Sequence, residues 1–166
     1  MTPDQLINLL QLQPLDIEGG FFRRTYTSND RLNFSNQHIG SAIYYLITPE
    51  SFSTIHKIDC DEIFHFYYGD PVEMLLLHPD GTGEIKPLSN QPGANFNPQQ
   101  LVPKNTWQGC RLKKGGKAAL LGATVFPEFK YENFVKGDSA RLLEKYPEFE
   151  AMIKALIPCW SNPDIL

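Results

Sequence analysis

Residues 53–69, STIHKIDCDEIFHFYYG, carry two histidines, two aspartates and one glutamate among β-branched and aromatic neighbours. That composition belongs to strand, so the polar groups should project from a sheet into a lined cavity. His56 and Glu62 are the pair best able to do chemistry. An imidazole with Glu62 or Asp61 nearby can act as a general base, because a carboxylate orients the ring and favours its charged form while burial opposes it. The same groups can also serve as the polar contacts of a binding pocket.

Strand alternation decides which neighbours share that cavity. Thr54, His56 and Ile58 fall on one face of a strand, and Glu62, Phe64 and Phe66 on one face of the next, with Met74 and Leu76 behind them. A lining that is mostly apolar with a few convergent polar groups is the character of a small-molecule site. His65 lies three residues after Glu62, so an unbroken strand turns it to the opposite face with Ile63 and Tyr67, and only a bulge would bring it inside. Further upstream, Phe21, Arg23 and Thr25 share one face and Phe22, Arg24 and Tyr26 the other. Arg23 is assigned to the cavity, where it would hold an anionic or sugar-like ligand. His78 precedes a turn that it can hydrogen-bond, and His38 lies in a polar, surface loop.

The elements that hold these residues are short strands. Segments 41–48, 52–58, 62–68, 72–78 and 83–88 are separated by turn signals such as GDP and PDGTG, and 100–102, 106–112 and 117–127 follow a loop rich in Asn, Gln and Pro. A helix over 1–14 opens the chain, with Thr2 as cap, Pro3 at its first position and Leu6, Leu9 and Leu10 at helical spacing. Two further helices over 138–157, the first capped by Ser139 and the second opened by Pro147, follow a β-barrel over 20–130, and a tail occupies 158–166. Strands in the body with helices only at the ends predict an all-β jelly roll or closed barrel in a single domain.

With 166 residues and no polar linker, the chain is long enough to bury a sizeable core. A net charge of -4 with scattered Lys and Arg excludes a phosphate-binding stripe, so nucleic acid is not an expected partner. Cys60, Cys110 and Cys159 form no CxxC pair and read as reduced thiols. The start MTPDQLINLL lacks the pattern of a signal peptide, and no apolar run reaches the length of a membrane span. A cytoplasmic protein with no membrane partner is the expectation.

Two short signatures link these residues to known proteins. In G-x5-H-x-H-x3/4-E-x6-G, His56, Glu62 and Gly69 fall on the first His, the Glu and the closing Gly; in G-x5-P-x-G-x2-H-x3-N, Pro103, Asn105 and Gln108 fall in the second half. These are the signatures of the cupin superfamily, which the chain resembles. More narrowly it resembles the family called DUF985 or Cupin_5, through EGGFFR at 18–23, DEIFHFYYGDP at 61–71, the VP-x5-Q pattern at 102–108 and TVFPEF at 124–129. The resemblance implies a cupin double-stranded β-helix, often dimeric, and a homodimer joined through Ile63, His65 and Tyr67 is expected.

The departures from those signatures shape the functional expectation. Ile58 stands where a metal-binding cupin has its second histidine, and Gln108 where it has its third. A divalent metal (Zn, Fe, Ni or Mn) held by His56, Glu62 and Gln108 would have a single imidazole, a poor set for a transition metal. Nucleotide-sugar epimerases resemble cupins and need no metal; by that likeness His56 would take a proton alpha to a carbonyl and a tyrosine of 44, 45, 67 or 68 would return it. The leading expectation is small-molecule binding around His56 and Glu62, with Arg23, Thr54, Phe64, Phe66 and Gln108 as further contacts.

Overall fold

The computed structural model describes residues 1–157, and the tail expected at 158–166, with Cys159, lies outside them. In chain order the elements are α1 (Pro3–Leu10), β1 (Gln13–Pro14), β2 (Phe21–Thr27), β3 (Ser41–Ile47), β4 (Ser53–Lys57), β5 (Asp61–Gly69), β6 (Val72–Leu77), β7 (Gly83–Leu88), β8 (Gln99–Val102), β9 (Trp107–Leu112), β10 (Ala119–Phe126), β11 (Val135–Lys136), α2 (Ser139–Lys145) and α3 (Glu150–Ala155). One sheet runs β1-β2-β3-β10-β5-β8 and the other β11-β4-β9-β6-β7, with antiparallel pairing in both. This is the jelly roll that the turn-punctuated strands predict. Two short strands, β1 and β11, lie beyond the limits expected for the barrel, 20–130.

Apolar side chains from the two sheets meet between them. Tyr45, Phe64, Phe66, Met74, Leu76 and Leu121 belong to one buried cluster. Each such side chain contributes roughly 1.5–3 kcal/mol when fully buried, so this layer is the main source of stability. Strands β5 and β10 are in register from Asp61↔Phe126 to Phe66↔Leu121; there Tyr68 pairs with the next residue, Leu120, and Tyr67 is the extra residue of a bulge.

Helices cover the outer faces. Thr2 and Gln5 form a capping box on α1, and its Leu6 packs with Leu46 and Ala118 on the six-stranded sheet. Across the molecule, Leu142, Tyr146, Met152, Ile153 and Leu156 pack with Ile55, Leu75 and Leu77 of the five-stranded sheet. The Ile55 N–H donates to Leu156 O at 3.1 Å, which ties β4 to the end of α3. Since Ile55 faces these helices, its neighbour His56 faces the opposite way, into the barrel. The cap of α2 is Asp138 rather than Ser139, its carboxylate accepting the Arg141 N–H at 2.9 Å. Pro147 opens a 3-10 turn, Pro147–Phe149, before α3 begins. No helix among the described residues is long and apolar enough to cross a membrane.

Candidate functional site

Toward the end where β3 and β5 begin, the sheets part around a small, partly open cavity lined by His56, Glu62, Ile58, Phe22 and Arg24 among others. His56 is 2% exposed. Its Nδ1 sits 2.9 Å from Thr54 O, and because a carbonyl oxygen only accepts, Nδ1 carries a hydrogen. Nε2 is therefore the ring nitrogen left free to accept a hydrogen bond. It lies 3.8 Å from Glu18 Oε2, beyond hydrogen-bond length. Phe134, just before β11, stacks on the ring at 4.8 Å and 17°, holding its plane.

Glu62 answers His56 from β5. The Gln108 Nε2 group donates to Glu62 Oε2 at 2.6 Å. Burial, reinforced by the negative charge of Glu18 and opposed by the Gln108 hydrogen bond, pushes the Glu62 carboxyl up to about 8. At neutral pH it therefore holds its proton, and an acid lines the same cavity as an imidazole nitrogen able to act as a base.

Glu18 is the residue that sequence reasoning missed as a functional group. Its Oε1 accepts the Ser53 hydroxyl at 2.6 Å, while its Oε2 faces His56. Two glycines deliver it there. Gly19 has φ 101° and Gly20 φ 71°, conformations costly for other residues, and a Cβ would come within 2.2 Å of Phe52 O at the first and 2.7 Å of the Tyr45 ring at the second. Thr54 then fixes the backbone: its N–H and its hydroxyl both donate to Glu18 O, at 2.9 and 2.7 Å. The signal was present in the EGG string, which reads as a turn until its glutamate is placed.

The other expected contacts are redistributed. Arg23 lies on the outer face of the sheet, with its guanidinium 5.5 Å from the centre of the Tyr44 ring, so it is not a cavity group. Arg24 lines the cavity instead and pairs with Glu128 at 3.9 Å. The pairing of Arg23 with Tyr44 and Arg24 with Ile43 on β3 sets this choice. Thr54 is a positioning residue for Glu18 and His56 rather than a lining one. Phe64 and Phe66 share Glu62's face but lie in the central core cluster, outside the lining of the cavity. Gln108 stands beside Glu62 with its Oε1 buried and without a partner.

Two further features follow from local geometry. Asn105, in the place of a signature glycine, has φ 64°, a left-handed conformation that asparagine tolerates, and its N–H donates to Ile58 O at 2.8 Å. This turn fixes the backbone of cavity-lining Ile58. His65 is on the outer face, with Nε2 3.3 Å from Thr124 Oγ1 and Nδ1 3.3 Å from Gln99 Nε2. Cys60 and Cys110 are buried; burial first, and then Glu62, pushes the Cys60 thiol up to about 12, so it is not a nucleophile.

A resident metal does not fit these donors. His56 supplies the only imidazole, Ile58 fills the place of a second one, and Glu62 is engaged by the Gln108 amide. Among the described residues, no group of three or more His, Cys, Asp or Glu is arranged to hold a metal ion. The expected set of His56, Glu62 and Gln108 falls below the ligand count of a firm site.

Comparisons with known proteins follow the same lines. The family model Cupin_5, described as cupin superfamily (DUF985), matches residues 4–136. A crystal structure of a Shewanella oneidensis protein is 29% identical, with coverage of 95% of this chain and 98% of that one and a TM-score of 0.86. A hypothetical protein from Leishmania major is 26% identical over 94% of this chain and 98% of its own, with a TM-score of 0.85. A cupin 2 domain-containing protein from Halorhodospira halophila, at 9% identity, 84% and 83% coverage and a TM-score of 0.57, shares the fold alone. No curated protein matches the chain significantly.

Proposed function

This chain belongs to the Cupin_5 (DUF985) family of the cupin superfamily, and from that premise we propose that it binds a small molecule in the barrel, around His56 and Glu62. The observation that carries this reading is the state of His56: buried, oriented by Thr54 and Phe134, and with Nε2 turned to the cavity without a hydrogen bond. A ring nitrogen left open on a cavity wall is a ready partner for a ligand or a water. A co-purified molecule identified by native mass spectrometry, and lost in His56→Gln, tests the reading; retention of the same molecule by that variant would contradict it.

A second reading is favoured by one specific feature, a protonated Glu62 on the same cavity as His56. An acid and a base on one cavity can move a proton without metal, as in an epimerase or isomerase, with His56 as the base and Glu62 as the donor. Incubation of the bound molecule with the protein in deuterium oxide should then place deuterium on carbon, and an unlabelled molecule after many turnovers' worth of time would reject catalysis while leaving binding intact. We also propose a cytoplasmic location and a homodimer formed through the outer face carrying Ile63, His65 and Tyr67, where Tyr67 and Leu101 are exposed.

A further inference from the structure

Beneath the cavity most donors are committed to protein acceptors: Ser53 Oγ to Glu18, Gln108 Nε2 to Glu62, His56 Nδ1 to Thr54 O, and the Tyr45 hydroxyl to Gly19 O at 3.0 Å. The lining keeps the Glu62 carboxyl and the Ser41 hydroxyl as neutral donors, and beside them stand open acceptors. Glu18 Oε2 and His56 Nε2 face each other across 3.8 Å, and Gln108, 1% exposed, has its Oε1 without a partner beside Glu62. The one cation on the lining, Arg24, is answered by Glu128, so the pocket's unbalanced charge is the carboxylate of Glu18. Above the floor stand Phe22, Phe129 and Tyr131, with Phe129 and Tyr131 edge to face at 5.3 Å.

From these groups we infer that the ligand is a small organic cation whose N–H donors meet Glu18 Oε2 and His56 Nε2 and whose body lies against the aromatic wall. The inference rests on the reading of this cavity as a binding site and deepens it by naming the ligand's charge. Charge-assisted hydrogen bonds to a carboxylate are about twice as strong as neutral ones, and aromatic faces attract a cation further. An anionic head would meet the Glu18 carboxylate, and the cation on the lining, Arg24, already has Glu128 as its partner. A bare metal ion meets too few arranged donors.

Three probes with one ring and different heads decide the matter: benzylamine, benzyl alcohol and benzoate, titrated into the full chain with isoleucine methyls observed by NMR. Benzylamine should shift the Ile43 and Ile58 methyls with an affinity at least about tenfold above that of benzyl alcohol, with benzoate weakest. Glu18→Gln, which keeps an acceptor for Ser53, should remove the preference for benzylamine. Equal or tighter binding of benzoate, a preference that survives Glu18→Gln in a folded variant, or zinc perturbing His56 where benzylamine does not, would each overturn the inference. The wild-type probe series stands even if the variant does not fold. Benzyl alcohol or benzoate moving Ile43 and Ile58 ahead of benzylamine would sink the charge assignment and keep the pocket; silence of those methyls to all three would sink both.

Discussion

His56 and His65 sit on adjacent strands in sequence, each stacked on an aromatic ring, yet only one of them lines the cavity. His65 stacks on Tyr67 at 6.4 Å and 8° and has Thr124 and Gln99 within 3.3 Å of its two nitrogens. Burial lowers its proton affinity, and no carboxylate opposes that. His56 has one nitrogen fixed by a backbone carbonyl and the other left open, facing Glu18. Ring stacking and strand placement are therefore common to both rings and do not distinguish them. An unsatisfied nitrogen next to charge, on the concave side of the barrel, is what separates the two.

If Glu18 creates this difference, removing its support should break it most severely. Gly19→Ala forces a Cβ to within 2.2 Å of Phe52 O in a left-handed conformation, and the expected cost is about 2–4 kcal/mol, read as a lowered urea midpoint, with the Glu18–His56 approach lost. Next in size, His56→Gln should weaken binding of a cavity probe at least about 30-fold, whereas His65→Gln should leave it within about twofold. Equal effects of the two would erase the distinction.

The acid of the pair gives a pH signature. The Glu62 carboxyl is raised in the folded chain from an ordinary 4.5 to about 8, so the unfolded chain binds fewer protons there than the folded one. Glu62's contribution is most favourable below 4.5, and stability is lost as pH rises from there to about 8. Thermal unfolding of Glu62→Gln should lack this decline, and a wild type and variant whose melting temperatures run parallel over that window would contradict it. The smallest effect separates the arginines: Arg24→Ala should change probe affinity by about two- to fivefold, and Arg23→Ala by less, since only Arg24 lines the cavity.

Much of this was legible from residue order. Turn strings such as GDP and PDGTG and the alternation of segments 41–48 and 62–68 predict the strands of β3 and β5, and the signature spacing marks His56, Glu62 and Gln108, which the fold brings together. Glu18 was not legible as a functional group, because its place depends on Gly19 and Gly20 turning the chain onto Thr54, a contact between segments far apart in sequence. Alternation separated Arg23 from Arg24 but did not say which face looks inward; pairing with Tyr44 and Ile43 on β3 decides that. Phe64 and Phe66 share a face with Glu62, yet depth along the barrel, which periodicity does not encode, puts them in the core.

The most direct test of the account is the protonation pattern of the His56 ring. Long-range proton–nitrogen NMR should show the neutral ring with its hydrogen on Nδ1, held by Thr54 O, and Nε2 bare toward Glu18. A neutral His56 ring with its hydrogen on Nε2 instead would place the accepting nitrogen away from Glu18 and contradict the site as described.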